Sequence, residues 1–355
     1  MKVYLFETKT SSEDISFGST FWKRTILDPQ LSLYLPAIRE LGYDPHGCVY
    51  DVIRKVSQKP GVVPLVDADG IKIVHDKSGQ RVRTKDGKKW RQTGDTEAGY
   101  VLQSRPETPE EYGARCLETI AGDPTKYYAR GVVVRLEADE REAAQDMWNT
   151  AGLMRDARRL NMYPRNVDAC VSWGRECDYL SVCSGMADIN DPLLFQFEED
   201  IHEELAEDGV LTSLTDDASL LTQSAMRAYR SCPRKFQLRY VLRMRTLKKA
   251  ETLGTGHSIH AALDVLRKTG GDLEAAKAAL ETEDLYVRAK EVAMLTGYLA
   301  RWGAPTGIIA IEKTFRISLK NPETGASSRT FSLGGRVDAI VGAESVAELI
   351  NPVGL

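Results

Sequence analysis

The sequence predicts a mixed α/β fold in which a small central sheet is flanked by helices. Short runs of strand-forming apolar residues at 3–6, 47–53, 131–136, 307–317 and 329–341 predict the sheet. Segments with apolar residues three and four apart lie between these runs and predict the helices. The size fits, since 355 residues make one domain with insertions or two modest ones. With 42% hydrophobic and 28% charged residues the composition is globular, which excludes bulk disorder.

The first strand, Val3 to Phe6, runs into the polar Glu7, Thr8, Lys9 and Thr10. Residues 20–40 then carry Ile26, Leu31, Leu33, Tyr34, Ala37 and Ile38 at helical spacing. After the second strand, residues 59–101 are rich in Gly, Asp, Lys and Arg without periodicity, which predicts an inserted hairpin or long loop. Helices follow at 109–122 and 138–160. The first has a clear start: Thr108 as N-cap, Pro109 at the first helical position and Glu111 closing a capping box. An acidic stretch at 198–208 and a polar one at 211–217 mark the best boundary in the chain. Beyond it, helices are expected at about 222–245 and 257–268, with two more between Asp272 and Trp302. No internal repeat is evident.

No apolar run approaches the roughly 18 residues of a membrane span, and the first residues do not read as a secretory signal. Six cysteines are too few for a disulfide scaffold, so a reducing, cytoplasmic setting is expected. No Gly-x4-Gly-Lys-Ser/Thr loop is present, which excludes an ATP-driven helicase within the chain. The net charge of −4 does not point to nucleic acid, so local charge must decide.

Four segments carry chemistry. With a strand period of two, Glu7 and Lys9 share one face; the pair reads as an exposed ion pair or as a cation-binding carboxylate beside a water-orienting ammonium. Asp338 interrupts an apolar strand, where a carboxylate is costly unless paired or metal-bound. His260 falls in the first turns of a helix, as a core residue or a ligand. Cys170, Cys177 and Cys183 cluster, and Cys232 follows on a distant helix. Four thiolates suit zinc or an iron-sulfur cluster, the wide spacing favours the cluster, and unrelated buried thiols are the alternative. Around Cys232, residues 227–249 contain no acid. Arg227, Arg230, Arg234, Lys235, Arg239 and Arg243 interleave with Tyr229, Phe236 and Tyr240, as on a DNA-tracking groove or a solvated face. A second basic run, Lys77 to Arg91, surrounds Trp90.

Together these segments resemble the RecB-like, iron-sulfur branch of the PD-(D/E)xK nuclease superfamily. Ser224, Tyr229, Cys232, Pro233, Lys235 and Phe236 match its Cys-Pro helix, Gly256 to His260 its Gly-x-x-x-His motif, and Asp338 its metal-binding Asp. Glu7 and Lys9 match Glu-x-Lys, Gln30 and Tyr34 match Gln-x-x-x-Tyr, and Cys170, Cys177 and Cys183 match the late cluster cysteines. The order departs from the family. Residues 1–205 look like its second half and 218–355 like its first, joined by the acidic linker 206–217, as in a circular permutant cut at a hairpin. The tail also offers Glu348 as carboxylate, with Ile350 where Lys belongs.

The resemblance implies a restriction-endonuclease-like core that hydrolyses DNA phosphodiesters with Mg2+ or Mn2+ and carries a 4Fe-4S cluster. Glu7, Asp338, His260 and the Thr8 carbonyl would hold metal, Lys9 would orient the attacking water, and Gln30 and Tyr34 would support them. An exonuclease of phage or bacterial recombination, replication or repair is expected. It would act on single strands or duplex ends, away from membranes, and is compatible with a helicase or recombination partner. The alternative is a catalytically silent iron-sulfur subunit that binds DNA or serves assembly, favoured if the Ile350-bearing tail is the working strand.

Overall fold

The computed structural model describes residues 1–172, 174–202, 205, 219–247 and 251–350. The expected linker 206–217, and Lys248 and Lys249 of the basic run, lie outside them. In chain order the elements that build the core are β1 (Lys2–Ser11), α1 (Thr20–Thr25), α2 (Pro29–Glu40), β2 (Pro45–Arg54), α3 (Pro109–Gly122), β3 (Tyr128–Val133) and α4 (Glu137–Leu160). They continue with β4 (Leu220–Leu221), α5 (Gln223–Ser231), α6 (Glu251–Lys268), α7 (Leu273–Ala278), α8 (Leu285–Trp302), β5 (Ile308–Lys320), β6 (Ser327–Ala343) and α9 (Val346–Ile350). No helix among the described residues is long and apolar enough to cross a membrane.

The sheet is mixed, as the strand runs predict, and β6 is its spine. Along one side it pairs antiparallel with β5. Along the other it takes β4 in parallel at Leu220–Ser332 and then β1 antiparallel, from Lys2 opposite Ala343 to Phe6 opposite Ala339. The far side of β1 pairs in parallel with β2, and β2 antiparallel with β3. The chain's first strand is thus held in the middle of the sheet by one of its last.

Alternation along the strands sorts the core into two layers. Leu5, Cys48, Tyr50, Val52 and Ile340 pack with Leu31, Leu35, Ile38, Met147 and Met154 of α2 and α4 on one face. On the other, Tyr4, Phe6, Val49 and Val341 meet Leu349 of α9, while Ile53 joins Ile120, Leu263 and Leu295 of α3, α6 and α8. Each such aliphatic side chain contributes about 1.5–3 kcal/mol by leaving water, which is what holds the helices to the sheet.

Local sequence explains the element boundaries. Thr108 and Glu111 form the capping box of α3. The single helical stretch expected over residues 20–40 divides into α1 and α2, because Asp28 caps α2 by accepting from the Gln30 amide at 2.9 Å and Pro29 takes its first position. The helix expected at 222–245 is also broken. Cys232, which precedes Pro233, is extended at φ −160°, ψ 112°, since a proline disfavours the helical state of the residue before it. A short helix Pro233–Phe236, a π turn Gln237–Val241 and a strand Met244–Thr246 follow. The helix expected from 257 instead begins at Glu251 and includes Gly256, where a Cβ would stand 3.1 Å from Thr10 Oγ1. A Cβ there requires the Thr10 side chain to give by a few tenths of an ångström, so α6 passes close over the end of β1.

The insertion is a ribbon of short antiparallel pairings. It contains a recurring device that composition does not reveal: turns at 67–70, 76–79, 84–87 and 96–99, each closed by the amide of a left-handed glycine on the carbonyl three residues back. Trp90 lies between the guanidinium groups of Arg81 and Arg83, at 4.4 and 4.3 Å from its ring centre.

His202 sits beneath the π turn, 2% exposed and 5.8 Å from the Tyr240 ring, with Nε2 unpartnered. Burial, and then Arg239, push its pKa down to about 4. The unfolded chain binds a proton here below pH 6.5 and the folded chain does not, so stability falls as pH drops from 6.5 toward 4. Relative to His202→Leu, the parent is expected to lose up to about 3 kcal/mol over that window in denaturant titrations. Parallel pH curves for the two proteins would refute the assignment.

Candidate active site

Pairing between β1 and β6 ends at Phe6 and Ala339, and the next residues along the two strands, Glu7 and Asp338, head the notch that opens there. Asp338 Oδ2 accepts from the Thr8 amide at 2.8 Å, a donor that the ladder no longer uses. The notch therefore joins residues 330 positions apart.

On the α2 side the polar residues form one connected chain. Lys9 Nζ donates to Glu7 Oε1 at 2.7 Å and to Gln30 Oε1 at 2.6 Å. Gln30 Nε2 donates to the same Glu7 oxygen at 2.9 Å and to the Tyr34 hydroxyl at 2.8 Å. Gln30 and Tyr34 are one helical turn apart, and the Asp28 cap fixes where that turn begins. Tyr34 packs edge-on against Phe315, 5.4 Å between ring centres.

On the α6 side His260 Nδ1 stands 3.8 Å from Asp338 Oδ2. Asp264 and Arg267 follow at helical spacing. Arg267, 6% exposed, donates to Thr8 Oγ1 and, at 3.0 Å, to Asp264 Oδ1. In the register that pairs Ile311 with Ala339 and Lys313 with Val337, Glu312 stands across from Asp338. Its φ of 48° is left-handed, a conformation that costs a non-glycine residue about 1–3 kcal/mol and clusters at functional sites. Sequence reasoning missed Asp264, Arg267 and Glu312. The period counted on from His260 marks the first two, whereas Glu312 becomes visible only with the strand register.

The electrostatics are those of crowded carboxylates. Burial, and then Asp338, push Glu7 up to about 7, against the pull of Lys9. Burial disfavours the Lys9 charge, but the Glu7 carboxylate outweighs it and Lys9 stays firmly cationic. Burial and a hydrogen bond shared with Glu312 push Asp264 up to about 7, so Asp264 keeps the proton of that pair. His260 is lowered by burial and is held as neutral imidazole, the form that ligates metal.

The donor set fits a divalent cation. Glu7 Oε2 is buried without a partner, and an oxygen in that state is costly until a cation or donor meets it. Glu7, Asp338 and His260 line the notch without closing on a common point, and among the described residues no three His, Cys, Asp or Glu side chains form a closed metal-holding group. Glu7 and Asp338 are oxygen ligands of the kind magnesium and manganese take.

Residues 220–350 match the family model of the PD-(D/E)XK nuclease superfamily. Nothing among the curated proteins or the solved structures matches the chain. The match suggests a metal-dependent nuclease, a class that usually uses Mg2+ or Mn2+ and takes DNA as substrate, and the mixed sheet flanked by helices agrees with its restriction-endonuclease-like core. The matched segment contains His260 and Asp338 but not Glu7 or Lys9. Its end includes the tail, which forms α9 rather than a strand; there Glu348 Oε2 accepts from the Glu344 amide at 3.2 Å. Beside Asp338 the strand position belongs to β1.

Cys170, Cys177, Cys183 and Cys232 lie in one neighbourhood, near enough to act on one another's charge, but do not close into a metal-holding group. The Asn166 amide points at Cys232 Sγ at 3.4 Å, and the Cys177 amide bonds the Cys170 carbonyl at 2.8 Å. Burial raises the Cys183 thiol, Arg234 pulls it back down, and the three other sulfurs add smaller raising contributions.

The acid-free segment is not free of acids once folded. Arg239 lies 3.3 Å from Glu198, which also binds Arg245, and Lys235 lies 3.9 Å from Asp178. Arg234 donates to Gln237 Oε1, and Arg243 to the Glu199 carbonyl. The acidic partners come from segments distant in sequence, and with Arg239 and Arg245 both on Glu198 the expected continuous basic face becomes a clamp on that carboxylate. Arg227 and Arg230 remain exposed, as do Lys77, Arg83, Lys85, Lys88 and Lys89 on the ribbon.

Proposed function

We propose that this chain is a divalent-metal-dependent deoxyribonuclease of the RecB-like kind, with its two halves in permuted order, acting as an exonuclease on DNA ends. The meeting of Glu7, Lys9, Gln30 and Tyr34 with Asp338 and His260 at one sheet notch carries the reading. A bound cation would polarise the phosphate and acidify the attacking water. Glu7, Asp338, His260 and the Thr8 carbonyl would hold it. Lys9 orients the nucleophile and offsets charge that develops on the phosphate, Gln30 holds Lys9 and Glu7 together, and Tyr34 holds Gln30. Exposed Arg227 and Arg230 and the ribbon's lysines supply phosphate contacts, so affinity falls with salt. The alternative, a catalytically silent iron-sulfur subunit that binds DNA or serves assembly, is favoured if the Ile350-bearing tail is the working strand, and the helical α9 there does not favour it.

Digestion of end-labelled single- and double-stranded DNA with Mg2+ or Mn2+ tests this reading. The parent should shorten the strands and Asp338→Asn should not. An inactive parent on every substrate, or an active Asp338→Asn, would refute it.

The neighbourhood of the four thiols supports a 4Fe-4S cluster, which would tie the 170–183 segment to Cys232. Protein purified without oxygen should be brown, absorbing near roughly 400 nm, and Cys232→Ser should lose both iron and thermal stability. A parent holding one zinc and no iron would overturn the cluster.

A further inference from the structure

The inserted ribbon carries a hairpin that the notch does not use. Residues 81–91 hold six cations and one acid. They fold as two strands: the Arg91 amide bonds the Val82 carbonyl at 2.9 Å, Arg83 pairs with Trp90, and the Gly87 amide closes the turn on the Thr84 carbonyl at 2.8 Å. The acid, Asp86, is tied into the turn, accepting from Thr84 Oγ1 and, at 3.2 Å, from the Lys88 amide. Arg81 and Arg91 pair with Asp67 and Asp95. Arg83, Lys85, Lys88 and Lys89 are exposed and meet no carboxylate among the described residues. Four like charges this close repel one another, and a polyanion laid against them relieves the repulsion. Trp90, between Arg81 and Arg83, stiffens the strands below the turn.

The ribbon is rooted at the sheet end that carries the notch. It leaves β2 where Arg54 pairs with Ser11 of β1, and Glu7 and Lys9 lie on the same half of β1. A two-stranded β-ribbon has a width that the major groove of B-DNA admits, whereas the major groove of an RNA duplex is too deep and narrow for side chains to read. We propose that the 81–91 hairpin grips double-stranded DNA in its major groove, with Arg83, Lys85, Lys88 and Lys89 on the flanking phosphates. The consequence rests on the nuclease reading: the grip keeps the duplex beside the notch as its end is shortened, so double-stranded DNA is the preferred substrate and digestion is processive.

Fluorescence anisotropy of the full chain in chelator, without metal, tests the grip apart from cleavage. A DNA duplex should bind at least about tenfold tighter than an RNA duplex or a DNA single strand of the same length. The triple variant Lys85→Ala, Lys88→Ala, Lys89→Ala should lose at least about tenfold in duplex affinity and about two to three in salt slope, with single-strand affinity within about twofold of the parent. All three side chains are exposed, so its thermal midpoint should match the parent's. Arginine at the same three positions should keep the parent's affinity. With unlabelled DNA as a trap in the digestion assay, the alanine variant should release long duplexes after shorter stretches than the parent does. An RNA duplex bound as tightly as DNA, equal losses on single and double strands, unchanged duplex affinity, or unchanged processivity would each overturn the proposal. A parent that holds duplex DNA through the hairpin yet cuts no DNA would discard the nuclease reading and leave the grip standing.

Discussion

Lys9→Ala is expected to slow DNA digestion by roughly 10²- to 10⁴-fold, the scale of losing a positioned proton-handling or charge-stabilising group. The ammonium touches Glu7 and Gln30 at once, at 2.7 and 2.6 Å, so its removal unties the whole polar chain on the α2 side. Glu7→Ala should be equally severe for another reason, since it takes away a metal ligand. The two are separated by metal titration: Glu7→Ala needs more Mn2+ for the activity that remains, whereas Lys9→Ala keeps the parent's metal requirement at a lower rate. DNA binding in Ca2+ should survive the Lys9 change, because the phosphate contacts lie elsewhere. Glu348→Ala, on α9, should digest within about twofold of the parent, as surface changes distant from a site do. An inactive Glu348→Ala beside an active Glu7→Ala would reassign the catalytic carboxylate and with it the role of β1.

The second large effect concerns Asp51, fully buried on β2. It accepts from Arg130 Nε at 2.8 Å and from the Tyr298 hydroxyl at 2.6 Å, while Arg130 also donates to that hydroxyl at 2.9 Å and lies 4.2 Å over the Trp302 ring. Asp51→Ala strands the guanidinium without its counter-charge, which typically costs about 3–5 kcal/mol. Urea unfolding should show a lower midpoint with an unchanged slope. Adding Arg130→Met should recover part of the loss, because the stranded charge, and not the missing carboxylate, is the expensive element. A double variant no more stable than Asp51→Ala would assign the effect to packing.

What the sequence made legible follows from what is local. The apolar run Val3 to Phe6 ending in Glu7, Thr8 and Lys9, the Thr108 cap and the helical spacing of Gln30 and Tyr34 each depend on neighbours within one turn or one strand, and each has its counterpart in the fold. The break at Cys232 is local too, because Pro233 disfavours a helical residue before it. Other features depend on contacts across the chain. Arg239 reads as a free cation until Glu198 is folded against it, and Glu312 acquires meaning only in the register that sets it beside Asp338. Trp302 marks the end of an expected helix in the sequence, and only the fold shows its Nε1 buried without an acceptor.

The pairing of β1 with β6 bears on when the protein can act. On the ribosome β1 emerges before β6, and the strand that completes its notch follows more than 300 residues later. At about 5–20 residues per second that interval is roughly 20–70 s. Until then Glu7 has no Asp338 beside it, and a loop of this length must close before the contacts that reward it form. The notch therefore forms only after β6 has been made, and whatever chemistry it carries waits for that strand.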